Sequence, residues 1–218
     1  PRPSVPLAEL LSPEGLPALL AGFTPEHAGG DRRALVSQWS KYYFVRLIPP
    51  VVAAALVLNR RLLLGIEQLQ VVLDAQYMPQ AFKLPDAGEL FAPTEPFARF
   101  AHLQDDNLLP FIQALTSQVK IAPKVLWSNA GNYFEAWLGQ LQKRSEQPEL
   151  LLDGQRLLSA AQGPDGSRNP LYAPIRYIDI EHADGQVRPW RQRRLCCIRY
   201  VLPGVELCPN CPRLKQPQ

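Results

Sequence analysis

The chain has 218 residues, enough for one large hydrophobic core or two small ones. Its composition, 46% hydrophobic and 20% charged, excludes a disordered or fibrous chain, and 23 prolines, roughly twice the usual ~5%, exclude a long uniform helical array. The net charge of +3 is uneven: residues 186–215 hold seven basic side chains against Glu206 alone, so that segment is +6 and the remainder −3.

Pro1 opens the chain, so an initiator methionine is expected to have been removed, and no basic, apolar, small-residue leader pattern follows. Residues 47–58 form the longest apolar run; it is too short to span a bilayer, is broken by Pro49-Pro50, and is followed by Arg60-Arg61. A cytoplasmic protein is the expectation.

Up to about Gly30 the sequence is punctuated by proline and glycine, with short helical patterns at 7–11 and after Pro13. A stronger helix begins at Asp31, a suitable N-cap, with Leu35, Trp39, Tyr42, Tyr43 and Arg46 at three- and four-residue steps. Pro49 should end or kink it, and 51–64 reads as another buried helix. Segments 69–73 and 78–84, separated by Asp74-Ala75-Gln76-Tyr77, read as a β-hairpin, followed by a proline-bearing linker at 85–96. Helical periodicity returns at 97–102, 108–119, 124–142 and 149–161, with Trp127, Tyr133, Phe134 and Trp137 as a core face. Asp105-Asp106 reads as a helix N-terminus and not as a paired acid–base site. After a loop at 163–170 the period changes to two: Ile175, Tyr177 and Ile178-Asp179-Ile180 suggest a strand, Ala183-Asp184-Gly185 a turn, and 186–193 the returning strand. The expected architecture is α+β, a mainly helical body with an early β-hairpin and a C-terminal strand pair leading into a small metal module. The expected division is a body at 1–170 and a C-terminal unit at 171–218.

All four cysteines fall in the last unit as Cys-Cys-x10-Cys-x2-Cys: Cys196, Cys197, Cys208 and Cys211. Clustering of this kind marks a metal site. Disulfides are disfavoured in a reducing compartment. Zinc is usually held by two Cys-x2–4-Cys knuckles, and Cys208-Pro-Asn-Cys211 is one. Adjacent Cys196-Cys197 is a poor second, because neighbouring side chains in a strand point to opposite faces. A [2Fe–2S] cluster also takes four thiolates, and its two separate irons relax the demand for a single meeting point. Spacing alone leaves all three readings open. The basic segment coincides with the cysteines, so it is read as serving the metal site, and no nucleic-acid partner is expected.

The run Arg193-Arg194-Leu195-Cys196-Cys197-Ile198-Arg199-Tyr200-Val201-Leu202-Pro203-Gly204, followed by Cys208-Pro-Asn-Cys211-Pro212, resembles the C-terminal signature of the FhuF-type siderophore-iron reductases. Looser agreement extends over Ser37-Gln38-Trp39-Ser40-Lys41-Tyr42-Tyr43, Trp127-Ser128-Asn129 and Asn169-Pro170-Leu171-Tyr172. The resemblance implies a [2Fe–2S] cofactor held by Cys196, Cys197, Cys208 and Cys211. It also implies one-electron reduction of a ferric siderophore, with iron released in the cytoplasm. Such chemistry needs neither a nucleophile nor a general base, and the chain offers no persuasive hydrolytic constellation.

Near such a cluster, Pro209 and Pro212 remove N–H donors and should lower its potential, whereas Arg193, Arg194 and Arg199 should raise it. Arg188, Arg191, Arg193 and Arg194 are the candidates for docking an acidic ferredoxin or ferredoxin-type reductase as electron donor. Trp190, Tyr200 and Trp127 are candidates for a shallow substrate surface. Weak association with the inner membrane face is a further expectation. No glycine-rich dinucleotide loop is present, and Gly163-Pro-Asp-Gly166 is a turn. His27, His102 and His182 are not needed as cluster ligands, since four cysteines suffice. The alternatives are a non-enzymatic [2Fe–2S] electron carrier or redox sensor, and a zinc-stabilised binding protein.

Overall fold

The computed structural model describes residues 3–23, 30–92, 94–181 and 185–215. His27, His182 and the first two turn residues, Ala183 and Asp184, lie outside them. Among the described residues seven α-helices follow in chain order: α1 (Leu7–Leu10), α2 (Gly15–Gly22), α3 (Arg32–Leu56), α4 (Pro96–Leu103), α5 (Leu109–Gln118), α6 (Pro123–Gln142) and α7 (Leu152–Ser159). The strands are β1 (Val5–Pro6), β2 (Arg60–Arg61), β3 (Gln70–Leu73), β4 (Pro79–Lys83), β5 (Glu89–Leu90), β6 (Ile175–Glu181) and β7 (Val187–Arg193). This is the expected α+β arrangement. No helix among the described residues is long and apolar enough to cross a membrane.

Helix α3 is the spine of the core. Asp31 caps it as expected, its carboxylate accepting the Arg33 backbone N–H at 2.9 Å. Trp39, Tyr43 and Phe44 are fully enclosed and meet Phe111 of α5, with the Tyr43 and Phe111 rings stacked 4.2 Å apart. Pro49 does not end the helix: α3 runs through both prolines to Leu56. The carbonyls that Pro49 and Pro50 leave unpaired belong to Val45 and Arg46, on the exposed side where water reaches them, while Leu47, Ile48, Val51 and Val52 anchor the other side. The second buried helix expected over 51–64 is therefore only the last turns of α3. Asn59, at φ 51°, turns the chain out of the helix into β2.

The early hairpin forms as β3 and β4, with Val71 opposite Phe82 and an irregularity between Val72 and Leu73. β1 adds to its free edge, giving the antiparallel order β1-β3-β4. The expected linker at 85–96 contains β5, which pairs with β2. Asp105-Asp106 does not begin a helix: a π-helical turn, Gln104–Leu108, carries α4 into α5 without a break. Its Asn107 is buried, accepting from the Tyr43 hydroxyl at 3.0 Å and donating to the Leu64 carbonyl at 2.8 Å.

Helix α6 packs lengthwise on α3, with Leu126, Trp127, Ala130, Phe134 and Leu138 inward. Tyr133 and Trp137 are only partly covered. Gly131 is required on α6, because a Cβ there would lie 2.7 Å from Cβ of Pro174. Beyond α7 the chain returns through Pro174 into β6 and β7, paired in unbroken register from Ile175–Arg193 to Glu181–Val187. β7 delivers the chain to the cysteines.

Candidate metal centre

At the end of β7 three contacts tie the cysteine segment together. The Arg193 N–H donates to the Asn210 carbonyl at 2.9 Å, the Arg194 N–H to the Pro174 carbonyl at 3.1 Å, and the buried Gln192 amide to the carbonyls of Cys211 and Leu214. Directly after Cys197 the chain turns sharply at Ile198, which has φ 53°, a left-handed conformation unusual for a β-branched residue. A short 3-10 helix (Arg199–Val201) follows, and Gly204 at φ 69° starts the return towards Cys208. The Cys211 N–H closes a turn on the Cys208 carbonyl at 2.9 Å.

This path resolves the difficulty posed by two adjacent cysteines. Cys197 Sγ lies 3.2 Å from Cys208 Sγ, and Cys211 is the cysteine that bears on Cys196. Each of the two adjacent cysteines thus has a neighbour from the Cys208-x2-Cys211 motif. Four thiols from two short motifs match the four thiolates that a two-iron centre takes. Cys197, Cys208 and Cys211 are buried and Cys196 is partly exposed, so one corner of the site reaches the surface.

The surroundings are cationic. The Lys41 ammonium of α3 lies 3.5 Å from Cys208 Sγ and 3.9 Å from Cys197 Sγ, and an Arg199 Nη reaches within 4.0 Å of Cys208 Sγ. Accepting a hydrogen bond from Cys197 pushes the Cys208 thiol well below the ordinary range, with Lys41 and Arg199 acting in the same direction. The same bond, together with burial, pushes Cys197 up. Burial also raises Cys196, against the Ile198 N–H that donates to its sulfur at 3.3 Å. Burial pushes Tyr133, which feels both Cys197 and Cys208, up to about 12.

A polar hub beneath the cysteines joins α3, α6 and β7. Ser37 donates to the Cys197 carbonyl at 2.6 Å. The fully buried Asn129 donates to the Ser37 carbonyl and to both serine hydroxyls, and accepts from Arg193 at 2.5 Å. Ser37, Ser40 and Asn129 come from two of the three loosely matching segments, Ser37–Tyr43 and Trp127–Asn129, and carried no assigned role in the sequence. The signal that could have found them is polarity: Ser37, Gln38, Ser40 and Lys41 are all buried on a helix whose neighbouring residues are apolar.

The remaining predicted residues are distributed unevenly around the centre. Arg193 is inside, 1% exposed, and not on a docking surface. Arg191 is held by Glu135, its Nε 2.6 Å from the carboxylate, and by the Asn132 carbonyl. Trp190 is 8% exposed and Trp127 9%, the latter at the wall of a cleft of about 550 Å³ with Phe97, Asn169 and Pro170. Arg188 is exposed at the far end of β7, where it meets Gln186. Arg194 is exposed beside Cys196, and Tyr200 lies under the Arg213 guanidinium at 4.2 Å. Asp106, read in the sequence as part of a helix N-terminus, faces Arg61 at 3.7 Å.

The family model described as "Ferric iron reductase FhuF-like transporter" matches residues 37–185, and that described as "FhuF 2Fe-2S C-terminal domain" matches 193–213. The chain belongs to the FhuF family. The second match spans all four cysteines, so the segment that closes the fold is the family's 2Fe–2S domain. A curated relative, "Ferric siderophore reductase" of Escherichia coli (strain K12), is 25% identical over 97% of this chain and 80% of its own length. The first match begins at Ser37, the residue whose hydroxyl binds the Cys197 carbonyl.

Proposed function

We propose that this chain is a ferric-siderophore reductase in which Cys196, Cys197, Cys208 and Cys211 hold a [2Fe–2S] cluster. The observation that carries this reading is that all four cysteines lie inside the family's 2Fe–2S domain, with Cys197 Sγ 3.2 Å from Cys208 Sγ. When bound, the cluster supplies a one-electron relay. A siderophore holds Fe(III) through hard oxygen donors, and the lower charge of Fe(II) suits those donors less well, so one electron frees the metal in the cytoplasm.

The protein's own residues do the rest. The buried cations Lys41 and Arg193 oppose the negative charge that four thiolates bring into the fold. Ser37 and Asn129 fix the backbone at Cys197 and the guanidinium of Arg193, which holds the cysteine segment against α3 and α6. Cys196, with exposed Leu195 and Arg194, is the entry and exit corner. Electron-donor docking by an acidic ferredoxin is assigned to exposed residues of the cysteine segment, Arg194, Tyr200 and Arg213, because Arg193 is enclosed and Arg191 is engaged by Glu135. Many ferric trihydroxamates are near neutral, so this positive surface suits a protein donor better than charge recognition of substrate. Hydroxamate complexes are the favoured substrates.

The test is anaerobic turnover. The reddish-brown protein, reduced to an EPR-active state, should convert a ferric hydroxamate to Fe(II) trapped by a ferrous chelator, in repeated cycles with a low-potential donor. Serine at Cys197 or Cys208 should abolish both colour and turnover. A colourless zinc protein, or a cluster that reduces but never passes its electron to any hydroxamate, catecholate or carboxylate complex, would refute the reading.

A further inference from the structure

Lys41 is 8% exposed, yet among the described residues no carboxylate is paired with it. Its ammonium has three partners, the Gln38 amide oxygen at 3.4 Å and the sulfurs of Cys208 and Cys197 at 3.5 and 3.9 Å. An ammonium taken out of water without a counter-charge is strongly disfavoured, and an amide oxygen compensates only part of that cost. The missing negative charge has to come from the sulfurs.

The four thiols are not equivalent in this respect. Cys197 and Cys208 share Lys41, and Cys208 also has Arg199 at 4.0 Å. The Cys196 sulfur instead accepts from a neutral backbone amide, that of Ile198, and Arg193 acts on it only through its field. A fixed positive charge beside a two-iron centre stabilises the reduced form.

We infer that Lys41 is a positioning residue for the electron: where the four cysteines hold the cluster, its ammonium beside Cys197 and Cys208 would raise the reduction potential of the centre. The inference rests on the reading that the four cysteines hold the [2Fe–2S] cluster. The step is balanced by one electron alone, supplied by a low-potential iron–sulfur protein, or by dithionite in the assay. One ferric iron becomes ferrous, and no bond is made or broken. Gln38, held in turn by its amide contact to the Tyr42 hydroxyl at 3.3 Å, keeps the ammonium aimed at the sulfurs.

The test is a mediated redox titration of the cluster-loaded protein at fixed pH, followed by absorbance and by EPR of the reduced state. Lys41→Met and Lys41→Gln should make reduction at least tenfold less favourable, a fall of 59 mV or more for one electron, and should change the anisotropy of the reduced EPR signal. Lys41→Arg, which keeps the charge, should stay near the unsubstituted protein in both readouts. A Met or Gln variant with an intact cluster and an unchanged potential overturns the inference. So does failure of both variants to retain the cluster, since Lys41 would then serve assembly and not potential. Absence of a [2Fe–2S] centre from the unsubstituted protein is a different failure, that of the functional reading itself.

Discussion

Asn129 links the cysteine segment to the helical body, and its replacement by leucine tests how firmly. The side chain is fully buried, and its oxygen is the close acceptor for Arg193, whose other side-chain partner is Ser128 at 3.4 Å. Arg193 is itself 1% exposed, and its Nε already has no partner. Asn129→Leu therefore strands a guanidinium out of reach of water, a change of the kind that costs about 3–5 kcal/mol. Loss of the bonds to Ser37 and Ser40 adds little, about 1 kcal/mol, because Ser37 still donates to the Cys197 carbonyl and Ser40 to the Ser37 carbonyl. For a chain of this size each kcal/mol lowers the melting temperature by about 2–4 °C, so a drop on the order of 10 °C is expected. The melt should be followed by far-ultraviolet circular dichroism together with the visible absorbance of the centre. Cluster loss should precede global unfolding, because the hub sits directly beneath Cys197. Asn129→Asp keeps an acceptor for Arg193 and should lose much less. A leucine variant within about 1 kcal/mol of the parent, or no difference between leucine and aspartate, would refute the assignment of this hub.

Burial, with the positive Arg61 nearby, holds His102 down to about 4, below the ordinary 6.5. The unfolded chain thus binds the proton first, and the stability contributed by neutral His102 is fully present above pH ~6.5 and is lost as pH falls towards 4, up to about 3 kcal/mol. Urea titrations across this window should show a shallower pH slope for His102→Phe than for the parent, and parallel slopes would argue against the buried neutral histidine. Gly131→Ala should destabilise the protein by about 1–3 kcal/mol by forcing α6 away from Pro174, measurable as a lower urea midpoint. Pairing Arg194→Glu with Arg213→Glu should slow reduction by an acidic ferredoxin and flatten its salt dependence in stopped-flow traces. Arg191→Glu should instead cost stability by placing like charge against Glu135.

Much of the helical body was legible because periodicity and capping are local. Asp31 and the spacing of Leu35, Trp39 and Tyr43 suffice to start α3. Pro49-Pro50 misleads because the cost of a helical proline depends on whether the orphaned carbonyls face water, which is a property of packing. Asp105-Asp106 misleads for a related reason: the π-turn that absorbs them is held by Asn107, whose partners lie 64 and 43 residues away. β1 and β5 are two-residue strands, too short for any alternation to show.

The four cysteines by themselves marked a metal centre, because ligand identity and spacing are written along the chain, and the resemblance of their flanks to the family's C-terminal signature supplied its kind. That Cys197 meets Cys208 was decided only in the fold, past the turn at Ile198. Arg193 was enclosed and Arg191 neutralised by residues of α6, so the basic stretch that reads as one docking surface is divided into interior and exterior charges. Lys41 and Asn129 stand 156 and 64 residues from their partners in the cysteine segment, and no local pattern connects them. Charge compensation and hydrogen bonding in a buried site act through space, and only the packing of α3 and α6 brings those groups beneath the sulfurs.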